Sequence, residues 1–397
     1  MNDDFSSLRS KIVISIFVLE VVCVFLAVFS TVWEVRNVAS LVISGNFILI
    51  AMLIFTTITS NVNKKAMFIW LGVIFFSYIA MVSASYTVTF SYMKKWIMFI
   101  STISFMYWIM ISEINEMMIK SLHICGVALG VMFVVAYFAE KGTPIEGYMA
   151  GALTFNIGNP NMTGMTLLNV FLCVWQAREY TKNGLMRFIC LVLCGFLVYF
   201  IWITKARSCI MAVLIFVVMN TFVKKKYRPT LTFWIVLLPL IFAMLYMLYI
   251  NSPIAHYFDF MVSEGKSLTS RVSIWEGCFR IIRENPVFGQ YYDEVMGLGQ
   301  RHNIHLDVLA GYGISTFIVY IWFFNMVIND IGKNIKYDYQ MTGIIAFYSI
   351  LISGIFEAAL VSGSQGIYII SCGFLMMAKF NRSKALSESS MEVIISE

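Results

Sequence analysis

Long apolar runs follow one another along almost the whole chain, separated by short polar breaks. A helix needs about 20 mostly apolar residues to cross a bilayer. Twelve stretches approach that length: 12–33, 38–60, 66–84, 95–112, 121–138, 162–177, 186–204, 207–223, 230–250, 304–328, 341–360 and 364–380. Between the ninth and tenth the pattern changes. "LTSRVSIWEGCFRIIRENPVFG" (268–289) puts Ser273, Glu276, Gly277, Arg280, Arg283 and Glu284 on one helical face and Trp275, Cys278 and Ile282 opposite. That spacing predicts a short amphipathic helix stopped at Asn285-Pro286. The predicted fold is an all-α polytopic integral membrane protein of about twelve transmembrane helices, with a long outer loop that contains the amphipathic helix.

Composition agrees with the pattern. Hydrophobic residues make up 60% of the 397, charged residues only 13%, and the mean hydropathy is +0.80. Soluble domains carry about a quarter charged residues. The first apolar run reads as a retained helix and not as a cleaved signal. Asp3 and Asp4 spoil a positive leader, and no small-residue cleavage site follows. Residues 1–383 read as one membrane domain, with 251–303 as the long extracytoplasmic loop and 384–397 as a loosely ordered cytoplasmic tail.

Short cytoplasmic loops carry an excess of Lys and Arg. With the N-terminus inside, 17 of the 28 basic residues fall in inside segments, among them the run "KKKYR" at 224–228. Of the remaining 11, five lie in the long loop 251–303, which does not bear on orientation. Both termini are therefore expected in the cytoplasm. The net charge of +6 reflects this bias and gives no reason to expect nucleic acid as a partner. The 8 cysteines show no CxxC pair or metal-ligand spacing, and all but Cys278 lie in apolar runs. They read as small hydrophobes, with no disulfide framework and no metal site expected.

Four polar features fall on the predicted outer side. "NIGNPNMTGM" (156–165) reads either as a helix-start turn, capped by Asn159 or Asn161, or as a polar loop that binds a sugar or phosphate. "TKARSCIMA" (204–212) places Lys205 and Arg207 in a tight break between two runs. There Arg207 either snorkels to headgroups or holds an anionic substrate. Arg271 falls on the apolar stripe of the amphipathic helix, where a guanidinium needs a strong acceptor: it reads as a buried salt bridge, a helix-cap position or a phosphate ligand. "GLGQRHNIHLDVLAGYGI" (297–314) sets Arg301, His302 and His305 at the lip of a span, with Asp307 just inside it. Asn303 can cap that helix, and His302 is either an interfacial residue or a base.

Taken in order, these marks resemble the O-antigen ligase/polymerase superfamily of bacterial polysaccharide assembly. They are "GNPN" (158–161), "ARS" (206–208), "SRVSIWEGCFRIIRENPVFGQ" (270–290) and "HNIHLDVLAGYG" (302–313). The resemblance covers about 158–313, less than half of the chain, and the many-span plan covers the rest. It implies a GT-C-like membrane glycosyltransferase. The substrate would be a glycan carried on undecaprenyl pyrophosphate at the outer face of a bacterial inner (plasma) membrane. Arg207 and Arg271 would hold the pyrophosphate, and His302 would activate the acceptor hydroxyl. Asn159, Asn161 and Asn303 are candidates to contact the glycan. No cofactor, nucleotide sugar or metal is implied, and the chain has no DxD motif. Membrane lipid and a chain-length regulator are further candidate partners. The outer loop is shorter than in many members, and His305 and Asp307 occupy variable positions to which no role is given.

A repeat-unit polymerase, making O-antigen or capsular polysaccharide, is favoured by the modest outer loop and the lack of a large soluble domain. The alternative is a ligase to lipid A core; a protein glycan transferase differs likewise only in acceptor. From other classes, a flippase would show charges midway along spans and mirrored halves. Glu20 and Glu357 are the clear acids within the first and eleventh spans, and Glu357 is a candidate to line an outer cavity. A non-enzymatic receptor would not need the outer cluster.

Overall fold

The computed structural model describes residues 2–30, 32–58, 63–83, 90–139, 151–157, 159–222, 226–250, 252, 268–291, 301–357 and 369–381. Gly158, most of the long outer loop, the start of the 364–380 run and the 384–397 tail lie outside the described residues.

Every expected span coincides with a helix, and the described residues contain no strand. The helices are α1 (Asn2–Phe29), α2 (Val32–Thr57), α3 (Lys64–Ser83), α4 (Phe90–Ile111), α5 (Glu116–Phe138), α6 (Pro160–Tyr180), α7 (Gly184–Ile203), α8 (Arg207–Phe222) and α9 (Pro229–Ile250). They continue with the amphipathic α10 (Leu268–Glu284), α11 (Ile304–Gly332), α12 (Asp338–Ser353) and α13 (Ile370–Lys379). Seven of them are long and apolar enough to cross a membrane: α1, α2, α3, α5, α7, α9 and α11. Large apolar side chains face outward on many of them, such as Phe55, Phe68, Ile124, Phe138 and Leu248. That surface suits lipid, and the architecture is that of an all-helical membrane protein.

Asparagine starts several helices. Asn115, Asn159, Asn183 and Asn303 each accept a backbone N–H from the first turn of α5, α6, α7 and α11. α10 ends where Asn285-Pro286 was expected to stop it, with Trp275, Cys278 and Ile281 buried on its inner face. Cys278 is therefore helical and packed, and all eight cysteines are buried free thiols.

Contacts sort the helix termini into two ends of the bundle. At one end Asn115 donates to Ser10 (2.6 Å), Tyr180 to Glu116 (2.9 Å), and Lys379 to the carbonyl of Ile109 (2.8 Å). At the other, Asn156 donates to the Val28 carbonyl (3.1 Å), Leu153 N–H to Ile203 (3.3 Å), and Ile304 N–H to Gly354 (2.9 Å). The polar features before α6, α8 and α11 all belong to this second end.

Two helices depart from simple spans. α12 stops at Ser353 and the chain turns through Gly354–Glu357, although apolar residues run on to 360. The Gly354 carbonyl is taken by Ile304, and a Cβ at Gly354 would lie 3.0 Å from Ile304. α11 kinks at Gly313 (φ 77, ψ 175). There the usual bond from Ile314 N–H to Ala310 is exchanged for two with the turn after α10. Ile314 N–H donates to Pro286 (2.8 Å), and Ala310 accepts from Gln290 N–H (2.8 Å). The turn lies so close that a Cβ on Gly313 would sit 2.2 Å from the Val287 oxygen. The Pro-x-x-Gly turn thus staples α10 to α11.

Candidate functional site

Glu357, in the turn beyond α12, holds two of the expected site residues together. Arg271 of α10 donates from Nη2 to Glu357 Oε1 at 2.9 Å. His302 Nδ1 lies 3.2 Å from Glu357 Oε2. The carboxylate is nearly buried, at 5% side-chain exposure, while the imidazole keeps 25%. The open face of the cluster is therefore the histidine. In the Nδ1–H tautomer the ring donates to Glu357, and Nε2 keeps a lone pair that meets no protein partner among the described residues. A carboxylate so placed fixes the tautomer and the orientation of the ring.

Arg271 leans over the ring of Phe356, 5.3 Å from its centre. Only one N–H of its guanidinium is engaged by Glu357, so its planar fork retains donors suited to phosphate oxygens. The sequence left a salt bridge and a phosphate open as acceptors; the salt bridge is present, and it does not saturate the fork.

Arg207 is the exposed first residue of α8. It bonds neither Glu357 nor His302, but its helix packs on α12, the helix that leads into the Glu357 turn. The α7–α8 junction is pressed on α6, where a Cβ at Gly164 would lie 2.5 Å from Ala206. The "ARS" and Asn-Pro-Asn stretches are therefore neighbours. Asn159, a glycan candidate, is occupied on its oxygen as the α6 cap, accepting from Met162 N–H at 2.9 Å. Asn161 sits half-buried in the first turn of the same helix and makes no bond to the Glu357 cluster.

Asn303 requires a correction. It is fully buried, and its carboxamide is used on both sides. Its oxygen accepts from His305 and Leu306 N–H, and its nitrogen donates to the carbonyls of Pro239 (2.8 Å) and Ile355 (3.0 Å). With its hydrogen-bonding capacity spent on backbone, it braces the floor of the site and is not free for a sugar.

Sequence reading offered Glu357 only as a lone acid in an apolar run and a candidate to line an outer cavity; its bonds to Arg271 and His302 were not foreseen. It also missed the roles of Arg301 and Asp307. Both are buried, and Asp307 Oδ1 meets Lys95 Nζ of α4 at 2.7 Å and Arg301 Nη1 at 3.6 Å. His305 is buried as well and bonds the Val236 carbonyl of α9, as a packing residue.

Among the described residues, four that are not glycine have left-handed backbone: Phe155 (φ 45), Asn156 (φ 59), Lys205 (φ 58) and His302 (φ 47). All lie at the same end of the bundle. Each such residue costs about 1–2 kcal/mol and persists only where its surroundings hold it. Among the described residues, no three His, Cys, Asp or Glu side chains gather as metal ligands would. The site can thus hold an anion, orient a base and accept one proton. Neither models of known protein families nor curated proteins match this chain.

Proposed function

We propose that the chain is a membrane glycosyltransferase. It joins glycan repeat units carried on undecaprenyl pyrophosphate into polymer, at the outer face of a bacterial inner or plasma membrane. The observation that carries this reading is the pairing of Arg271 and His302 on the one carboxylate of Glu357, at a single end of a membrane bundle. The order of short motifs that resembles the O-antigen ligase/polymerase superfamily supports it. In this reading α1–α9 and α11–α13 make twelve crossings, with both termini in the cytoplasm, as the 17 inside basic residues favour.

The chemistry follows from the charges. A glycosyl pyrophosphate leaves as an anion, and guanidinium groups stabilise the charge that develops on it. Arg271 and Arg207 carry that task. The acceptor hydroxyl gives its proton to His302 Nε2 while its oxygen bonds to the donor's anomeric carbon. The bond from that carbon to the pyrophosphate oxygen breaks, and the electron pair leaves with polyprenyl pyrophosphate. Glu357 stabilises the imidazolium that forms. A lipid-linked donor keeps its tail in the bilayer, which fits a base at the lip of a span.

The test is reconstitution of wild type and His302→Ala with undecaprenyl-pyrophosphate repeat units from the native host. A ladder of products from wild type, lost in the variant while the protein stays folded, is expected. Transfer only to added lipid A core would make the protein a ligase. An equal ladder from the variant would remove His302 from the mechanism. In cells, loss of His302 should leave repeat units accumulating outside; accumulation inside would point to a flippase.

A further inference from the structure

We infer that Lys95 and Asp307 are positioning residues that set His302 against Glu357. The inference rests on the glycosyl-transfer reading for its activity arm, and on geometry alone for its second arm. His302 is one residue long as a bridge between two immobile anchors. On one side, the buried Arg301 side chain is stretched between two carbonyls. Its Nη1 donates to Asp307 at 3.2 Å and its Nη2 to Gln290 at 2.9 Å. It lies flat on Gly311, where a Cβ would meet Nη1 at 2.6 Å. The Arg301 carbonyl is itself held by Trp275 Nε1 of α10, at 3.2 Å. On the other side Asn303 is fixed by its four bonds to backbone. The chain covers the step between them with a left-handed His302, φ 47, and this turns the imidazole to Glu357.

Lys95 decides where the Arg301 anchor sits. The Asp307 carboxylate is fully buried and has two cations in reach. Lys95 takes Oδ1 at 2.7 Å and draws it toward α4, leaving Arg301 Nη1 at 3.6 Å from the same oxygen. Arg301 is thereby left to its two carbonyls. α4 is tied to the same region once more, since Trp96 N–H donates to the Tyr291 hydroxyl at 3.0 Å. Without the Lys95 ammonium the buried carboxylate has Arg301 as its remaining cation, and a buried charge moves to its nearest partner. The guanidinium then leaves Gln290, the anchor shifts, and His302 relaxes to negative φ with its ring off Glu357.

The test uses the full chain in lipid nanodiscs, with Lys95→Met as the perturbation and Lys95→Arg as the conservative control. Rates are expressed per folded molecule, counted from the monodisperse fraction. Where Lys95→Met fails to fold, Lys95→Gln, which removes the ammonium but keeps a donor for the Asp307 carboxylate, replaces it and carries the same expectation. kcat for polymer formation should fall roughly 10- to 100-fold, since displacement of a catalytic group by about 1 Å costs on that order. KM for the lipid-linked donor should stay within about twofold, because Arg271 and Arg207 are untouched. Lys95→Arg should recover most of the rate. Carbethoxylation of His302 by diethyl pyrocarbonate, followed by peptide mass spectrometry, should be several-fold faster in Lys95→Met than in wild type, as the ring leaves its carboxylate. An unchanged kcat per folded molecule, or an unchanged carbethoxylation rate, overturns the inference. If wild type shows no glycosyl transfer at all, the functional reading fails, and the carbethoxylation rates alone decide the positioning role.

Discussion

Replacing Gly313 with alanine attacks the staple between α10 and α11 at its tightest point. The native φ of 77 and ψ of 175 belong to a region that only glycine occupies readily, so strain alone costs about 1–3 kcal/mol. The new methyl would also lie 2.2 Å from the Val287 oxygen and 2.5 Å from two backbone atoms of Phe288. These are backbone atoms, which cannot swing aside like the end of a side chain. The turn must lift, and the bonds from Gln290 to Ala310 and from Ile314 to Pro286 go with it. At about 1 kcal/mol each they bring the total to roughly 3–5 kcal/mol. Unfolding of the purified protein in mixed micelles of mild detergent and dodecyl sulfate, followed by tryptophan fluorescence, reads the difference. Gly195→Ala is the control. Nothing lies within 4 Å of its added methyl, and mid-helix alanine is favoured over glycine by roughly 0.5–1 kcal/mol. If Gly313→Ala unfolds within about 1 kcal/mol of wild type, an ordinary change by the standard of point mutants, the stapled kink is wrong.

Two further perturbations bear on the supports of the site. Asn303→Ala removes two caps and two buried donors at once and should cost about 2–4 kcal/mol in the same unfolding measurement, with the proposed glycosyl transfer lost. Asn303→Asp keeps the caps but turns an oxygen toward two carbonyls, so it too should be destabilised; a wild-type midpoint would contradict the bonding described. Glu20 is buried and accepts the N–H groups of Ile369 and Ile370, both at 3.0 Å, so that α1 caps α13. Glu20→Ala should cost about 1–3 kcal/mol and speed amide exchange across 370–379, while Glu20→Gln, which keeps an acceptor oxygen, should lose less.

The helices were legible because lipid demands long apolar runs and because asparagine or Asn-Pro marks where several begin or end. α10 was legible from helical spacing alone, including the odd position of Arg271 on its buried stripe. Where α12 ends was not. Hydropathy cannot separate an apolar helix from an apolar turn, and the residue that stops it, Gly354, is engaged by Ile304 from another helix. The partners of Glu357 escaped for a related reason, although the acid itself stood out. Its meaning depends on Arg271 and His302, 86 and 55 positions away, and a sequence pattern carries no distance between such residues. Lys95 and Asp307, separated by 212 positions, are a further case. Asn303 shows the opposite error: a polar residue beside a base looks available, and only the structure reveals that backbone has claimed it.

The exchanged hydrogen bonds at Gly313 have a consequence for how the site keeps its dimensions. They measure out the separation of Arg271 from His302 by direct contact between helices, so the chain that joins the helices is released from that duty. The spacing of the charged groups is then set at this staple and not by the number of residues between 253 and 267 or between 292 and 300.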